Sequence, residues 1–548
     1  MDAHGEFDYV VVGAGSAGCV VAARLCASGA HSVALLEAGG EDSSFWMRAP
    51  LGYGKLYNDA RCNWLFEGEP ETGLAGVQPV MPRGKVLGGT STTNGMVYVR
   101  GQRQDFDGWR ALGNTGWGYD DVLPYFRKAE DNARGADHYH GAGGPIGVAD
   151  MPRHELVDAF VEVGRQAGYP ANADFNAEHQ EGFGYNQLTI RGGRRSSSAS
   201  AYLEGNRSRA NLAVITHARA TRILFRERDA IGVEFIQHGS VRTVLARRDV
   251  IVSAGTFNSP ALLQVSGIGP AELLRPLGIP IVLDSPGVGA NLQDHFNAAL
   301  AYRCTKPITI SDVLHNPLRK FAMGLRYLLL RDGMMATGAN FGGGFIRTEP
   351  TLPAPDVTFT LALWSRAAYG RARGPLGLHP FSSFGVAMSL LHPDNRGTVR
   401  IRSADSAVPP QIAFQLFLSE ADRRTAVKGL RAIRMVMKMP AIAPYVAQEM
   451  APGPDCVTDD ELVEFCRRNG RSNNHSTSTC KMGIDSAAVV DSRLRVHGVR
   501  RLRVIDASIM PCVVGGNTNA ATVMIGEKGA AMLLEDATRR ALPVAVGA

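Results

Sequence analysis

Long apolar runs, paired cysteines, a cluster of metal-ligand residues and a strong charge of one sign are all missing from this sequence. No stretch of eighteen apolar residues occurs in its 548 positions, which argues against a spanning helix. The eight cysteines, at 19, 26, 62, 304, 456, 466, 480 and 512, form no Cys-x-x-Cys pair and no small-domain framework. A reduced, intracellular and cytoplasmic setting is therefore expected. Residues 1–7 are polar and lead straight into an apolar run, which leaves no room there for a signal peptide. The formal charge is only +6, and the arginine clusters (Arg191, Arg194, Arg195; Arg500, Arg501, Arg503) are broken by apolar and small residues. Nucleic-acid binding, which uses a concentrated basic face, is not expected. His138 and His140 have a spacing that can hold a metal, but no further ligand-type residues accompany them, so no metal is expected either.

What the chain has instead is glycine, 62 residues without a collagen period, and a hydrophobic content of 45%, enough for a large core and more than one domain. The first forty residues organise the rest. A β-branched run, residues 8–12, enters Gly13-Ala14-Gly15-Ser16-Ala17-Gly18 and then a small-residue helix to about Ser28. Gly13 makes the turn, Gly15 lets a diphosphate approach the backbone, and Gly18 lets helix and strand come close. The diphosphate would sit on the helix N-terminus, where free N–H groups favour an anion. A second apolar run, 32–36, ends in Glu37-Ala38, with Glu37 nineteen residues after Gly18, near the spacing at which a carboxylate accepts from an adenosine ribose. A bound dinucleotide is the expectation, and a purely structural βαβ unit is the alternative.

Residues 84–98 combine paired glycines with Thr90, Ser91, Thr92 and Thr93, a pattern that suits a planar ligand with polar edges. Runs at 212–215, 221–225, 231–235 and 241–245 read as an antiparallel meander. A separate buried strand, 250–252, then ends at Ala254-Gly255 before a helix and brings backbone to the cofactor a second time. Asp294 and His295 read as structural. From about 297 to 470 cofactor-type glycine turns disappear, which marks a substrate cap; within it, 419–439 reads as a helix, and Thr458 with Glu461 forms a capping box opening another. Residues 319–331 are basic and apolar at helical spacing. A surface helix packed on the cap is the expectation, and a peripheral contact with the inner face of an anionic membrane is the alternative.

Residues 84–98 resemble the first signature of the glucose-methanol-choline oxidoreductase family, and residues 255–269, beginning Gly255-Thr256-Phe257-Asn258-Ser259, resemble the second. The similarity covers essentially the whole chain and is greatest to the alcohol and choline dehydrogenase branch. It implies an α/β protein: a Rossmann-like FAD-binding domain with a β-meander (1–150, 206–296 and 471–548) and an α+β cap on an antiparallel sheet (151–205 and 297–470). It also implies FAD contacts from Gly13, Gly15, Ser16, Ala17, Gly18, Glu37, Ala38, Trp64, Arg83, Val86, Gly88, Gly89, Ser91, Asn94, Gly95, Met96, Val97, Ala220, Ala254, Gly255, Asp506, Ala507, Asn517, Thr518 and Thr522. Thr93 stands where some oxidases carry a flavin-bonded histidine, so FAD should be noncovalent. His140, with Gly141, Gly144 and Pro145, corresponds to a loop near the substrate entrance.

Residues 474–483, Asn474-His475-Ser476-Thr477-Ser478-Thr479-Cys480-Lys481-Met482-Gly483, resemble the family's His-Pro-x-Gly-Thr-Cys-x-Met-Gly segment, which places the active-site histidine at His475 and its partner at Asn519. Histidine suits the removal of a hydroxyl proton, and a carboxamide suits holding the oxygen. A helix starting at Thr518 would stabilise an anionic reduced flavin. Ser476 and Ser478 replace the usual proline and glycine, and Asn473-Asn474 replace an apolar or aromatic pair. These changes should loosen the loop and make the pocket more polar. The implied activity is oxidation of a primary alcohol to an aldehyde, with electrons passing to a quinone, a cytochrome or dioxygen. A lyase of the same fold, splitting a cyanohydrin, and a flavoprotein without turnover are the alternatives.

Overall fold

The computed structural model describes residues 3–366 and 377–541. The ends of the first and last expected segments (1–2 and 542–548), and residues 367–376 of the expected cap, lie outside that description. Two seven-stranded sheets carry the molecule.

The first sheet grows from the opening glycine motif. Strand Ala3–Val12 lies between Val33–Leu36 and Ser240–Val252, all parallel, with Leu212–Ile215 on one outer side and Leu502–Val504 on the other. Residues 9–12 and 33–36 are buried, as runs enclosed on both faces must be. Along one edge Ser240–Val252 runs parallel to Ala3–Val12 from Thr243 to Val252, and along the other its start pairs antiparallel with Asp229–Gln237 and its end parallel with Leu502–Val504. The expected meander is thus three strands, Ala218–Arg226, Asp229–Gln237 and Ser240–Val252. Two expectations change here. Leu212–Ile215 is a parallel strand beside Val33–Leu36, and runs 241–245 and 250–252 form one strand. The charged residues between those runs read as a turn, but Arg247 reaches sideways to Asp8 (3.2 Å) and the backbone continues.

The C-terminal helix Thr518–Ala541 lies against the first helix, Gly18–Cys26. A Cβ on Gly526 would stand 2.9 Å from Val20 Cβ, so the crossing requires glycine's missing side chain. Buried Glu527 accepts from Arg24 (2.6 Å) and Tyr202 (2.8 Å) and faces Lys128 at 3.1 Å, tying the two ends of the chain together.

The second sheet is antiparallel throughout, in the order Val446–Ala451, Phe296–Cys304, Ser383–Leu390, Val357–Ala362, Asn340–Ile346, Gly182–Tyr185, with Arg471–Ser472 also paired to Phe296–Cys304. Alternation splits its residues. Val357 and Leu361 join the apolar cluster that includes Leu430 and Ile433 of helix Glu420–Val436, while Thr358, Thr360 and Ala362 line a cavity between the two sheets. Ser419 caps that helix, its hydroxyl accepting from Ala421 N–H at 3.1 Å. Thr458 and Glu461 form the expected capping box at the start of Asp459–Asn469.

Candidate active site

The cavity between the sheets encloses about 1030 Å³. Of the residues expected at the site, it is lined by Gly13, Gly15, Ser16, Ala17, Glu37, Ala38, Trp64, Arg83, Gly89, Asn94, Gly95, Met96, Val97, Ala220, Ala254, Gly255, His475, Asp506, Ala507, Asn517, Thr518, Asn519 and Thr522. Gly18, Val86, Gly88 and Ser91 stand behind that wall. Gly18 lets the helix cross the first strand, since a Cβ there would lie 1.9 Å from Gly13 O. Val86 belongs to a small core with Met47, Leu56 and Cys62. Gly88 donates to Ala14 O, and Ser91 Oγ donates to Gly88 O, so both brace the glycine turns against each other.

The first turn is a cradle. Gly13 has φ +99, and a Cβ on it would lie 2.5 Å from Ser253 O, whereas a Cβ on cavity-lining Gly15 would meet Ser253 O only at 3.9 Å. Glu37 accepts from Ala14 N–H (3.0 Å) and Gly39 N–H (2.8 Å), and burial pushes its carboxyl up to about 7. Asp506 lines the cavity and also braces its wall. Its carboxylate accepts from Gly255 N–H, Ser259 Oγ, Ser508 N–H and Ser508 Oγ, and so fixes the second glycine turn.

His475 sits on the loop that follows Arg471–Ser472. Buried Asp294 holds this loop by accepting from Ser472 Oγ (2.7 Å), His475 N–H (3.0 Å) and Ser476 Oγ (2.5 Å). Arg83 donates to Ser476 Oγ at 2.7 Å, its guanidinium 5.1 Å from the centre of the Phe257 ring. The serine expected to loosen the loop therefore ties it down, because its hydroxyl reaches two charged partners. Asn474 and Ser478 have φ of +62 and +79, so the loop keeps a glycine-like conformation without a glycine.

Around the ring, Asn517 Nδ2 donates to His475 Nε2 at 3.0 Å, and His475 Nδ1 lies 2.9 Å from His295 Nδ1. A donor on Nε2 makes that nitrogen the lone-pair atom and leaves the proton on Nδ1, facing His295. Burial, reinforced by the charge of Arg83, pushes the His475 imidazole down to about 3. Burial, with the neighbouring His475, holds His295 far below its ordinary value as well. Two neutral imidazoles are in contact, and the Nε2 lone pair of His475, held by Asn517 on the cavity wall, can take up a proton. Asn519, the expected partner, lines the cavity as well, and its Oδ1 accepts from Ser16 Oγ at 2.8 Å in the glycine turn, while Asn517, one position before helix Thr518–Ala541, is the carboxamide that meets the imidazole.

Two contributors were not legible in the sequence. His295, read as structural, is a cavity residue in contact with His475. Arg195, named above only as part of a broken arginine cluster, is buried and donates to Ser91 O (3.2 Å), Asn94 O and Asn94 Oδ1 (both 2.8 Å), so it shapes the first signature from behind. An adjacent arginine pair was its only signal. His140 lies outside the cavity lining, buried between Glu130 (2.9 Å) and Asp174 (2.6 Å), which together raise it to about 9 against the cost of burial. Among the described residues no group of three or more histidine, cysteine or acidic side chains could hold a metal ion.

Residues 7–297 and 393–526 match the two family models described as GMC oxidoreductase. The chain belongs to the GMC oxidoreductase family. The curated GMC relatives include an oxygen-dependent choline dehydrogenase of Photobacterium profundum, 40% identical over 533 residues, covering 96% of this chain and 93% of its own. Among solved structures, pyridoxine 4-oxidase from Mesorbium loti superposes with a TM-score of 0.85 at 30% identity, covering 96% of this chain and 99% of its own. A variant of Aspergillus oryzae formate oxidase, studied for FAD modification, superposes with a TM-score of 0.90 at 25% identity, covering 98% of this chain and all of its own. The GMC matches leave out 298–392, which contains the cap strands Asn340–Ile346, Val357–Ala362 and Ser383–Leu390.

Proposed function

We propose that the chain oxidises a primary alcohol to an aldehyde with bound FAD. The glycine cradle, the two helix starts that meet at the cavity and the buried Glu37 fit that dinucleotide. FAD, when bound, supplies the acceptor for the hydride from the carbinol carbon. Everything else falls to the protein. His475 Nε2 takes the hydroxyl proton, His295 receives the Nδ1–H and fixes the tautomer, and Asn517 holds the substrate oxygen beside the imidazole. The observation that carries this reading is the neutral His475 ring with Nε2 against Asn517 on the wall of a cavity lined by the glycine turns. Anaerobic mixing with a panel of alcohols tests it. Bleaching of the flavin absorbance is expected for at least one primary alcohol, and a spectrum indifferent to every alcohol would remove the activity. Oxygen uptake compared with reduction of a soluble quinone then distinguishes the two acceptors.

The carboxylates that line the cavity, Glu37, Glu67, Glu69 and Asp506, all lie outside the cap. Its sheet and the adjoining Trp364 and Arg366 contribute Asn297, Ala299, Asn340, Thr358, Thr360, Ala362, Trp364, Arg366 and Arg471 to the cavity, and among the described cap residues lining it there is no carboxylate. The Arg366 guanidinium lies 4.9 Å from the centre of the Trp364 ring, covering an aromatic face that a cationic headgroup would use. Where the substrate meets the cap, a neutral or anionic alcohol therefore suits the wall better than choline. We expect kcat/KM for 3,3-dimethylbutan-1-ol, choline's neutral isostere, to exceed that for choline at least tenfold, and Arg366→Glu to narrow the gap. A preference for choline in the parent enzyme would refute this.

FAD is held without a covalent bond in this reading, since Thr93, a cavity residue, offers no ring nitrogen. Acid precipitation should release all the yellow colour to the supernatant; colour retained in the pellet would contradict it.

A further inference from the structure

Helix Pro317–Leu330 is amphipathic the wrong way round for a helix that belongs only to the protein. Its inward side is small: buried Tyr327 and partly buried Met323 pack on Ala49, Met335 and Ala336. Its outward side carries Leu318 (80% exposed), Phe321 (70%), Leu325 (45%), Leu328 (56%) and Leu329 (71%), at spacings of three, four, three and one, which stack them on one face. Leu330 (66%) is exposed as well, at the helix end on the flank of Arg319 and Arg326. Packing on the cap thus accounts for one side of this helix and leaves the larger apolar side in water. The patch continues onto the neighbouring turn, where Phe45 and Trp46 are each 41% exposed and Phe45 meets Tyr327 edge-on at 6.0 Å.

The charges around this face have one sign. Arg319 and Arg326 project from one flank of the helix and Lys320 and Arg331 from the other, and no acidic residue occurs between Asp312 and Asp332. Arg326 pairs with Asp332 at 2.6 Å. Arg319 and Lys320 are exposed and have no carboxylate among the described ion pairs. An apolar stripe bordered by cations matches the boundary of an anionic bilayer, where acyl chains take up the stripe and headgroup phosphates meet the flanks. A second copy of the chain would bring like charges together along both flanks, which is repulsive. No helix among the described residues is long and apolar enough to cross a membrane, so contact would be made by this face alone.

We propose that helix Pro317–Leu330, with Phe45 and Trp46, is a docking face for an anionic lipid surface. The turn containing Phe45–Arg48 leads directly to Tyr53 and Tyr57, which line the cavity, so docking sets the active-site region beside the lipid. This inference does not depend on the catalytic reading, and either can fail alone.

The test uses the full-length, flavin-loaded protein with sedimented vesicles of phosphatidylcholine alone or with 30% phosphatidylglycerol, as about equal lipid surface. Binding to the anionic vesicles is expected to exceed binding to the neutral ones at least tenfold, to weaken in 1 M salt, and to fall at least tenfold in Phe321→Glu and in Leu325→Glu. Flavin spectrum and turnover of a water-soluble alcohol should stay at parent values in both variants, which shows that they fold. Equal binding to both vesicle types, or glutamate variants that still bind, would overturn the proposal. So would a parent dimer in lipid-free solution that the same substitutions dissociate, because the face would then be an interface between copies.

Discussion

Replacing His475 with alanine is expected to slow reduction of the bound flavin by alcohol about a thousandfold while leaving FAD in place, with stopped-flow absorbance under anaerobic conditions as the measurement. A positioned general base contributes a factor of about 10² to 10⁴, and no other cavity residue offers a lone pair in the same position. His295 cannot substitute, because its Nδ1 faces the missing ring and its Nε2 is buried without a hydrogen-bond partner. Cofactor retention should be unaffected, since the glycine cradle and Glu37 make no use of the imidazole, whose bond near the helix start is to the Asn517 side chain alone. The same variant has a signature in stability. Burial depresses the folded-state pKa of His475, so the stability it confers is present above the unfolded histidine pKa near 6.5 and is lost as pH falls towards about 3. Alanine has no such proton to gain, and the drop in Tm between pH 7 and pH 5 should be smaller in His475→Ala than in the parent. Flavin reduction at the parent rate would remove His475 from the chemistry.

How far these features were legible depended on whether the determinant was local. The turn at 13–18 was readable because Gly13 and Gly18 are each forced by contacts within the turn or with the strand beside it. His475 was readable because the surrounding segment resembles a family sequence. Arrangements decided across the fold were not. Leu212–Ile215 has the same alternation as the meander strands, and only its neighbour Val33–Leu36 makes it parallel. Ser476 read as a loosening substitution because Asp294 and Arg83, which secure it, are remote in sequence. The outward stripe of Pro317–Leu330 has the same sequence period as an inward one, so periodicity revealed a face but not the direction in which it points.

The sharpest case is the choice between Asn517 and Asn519, and it yields the second prediction. Two positions apart at a helix start, the two carboxamides point to different sides of the helix, and sequence spacing does not say which side holds the imidazole. Asn517→Asp is expected to change the pH dependence as well as the rate. A carboxylate about 3 Å from Nε2 favours imidazolium, and a pair this close is worth several kcal/mol at the effective dielectric of a protein. The His475 pKa should then rise by about two to three units. In the parent the base is free at every pH above about 3, so flavin reduction should show no acid limb through the neutral range. In Asn517→Asp the limb should enter the window near pH 5 to 6, because the base is now protonated below its raised pKa and the rate falls as pH drops through it. Above that limb, loss of the amide donor should still cost on the order of tenfold to a hundredfold. Asn519→Ala provides the contrast. Removing the Ser16 contact should loosen the glycine turn and weaken FAD retention without creating an acid limb. An acid limb in the Asn519 variant, with a parent-like profile in Asn517→Asp, would return the catalytic pair to His475 and Asn519.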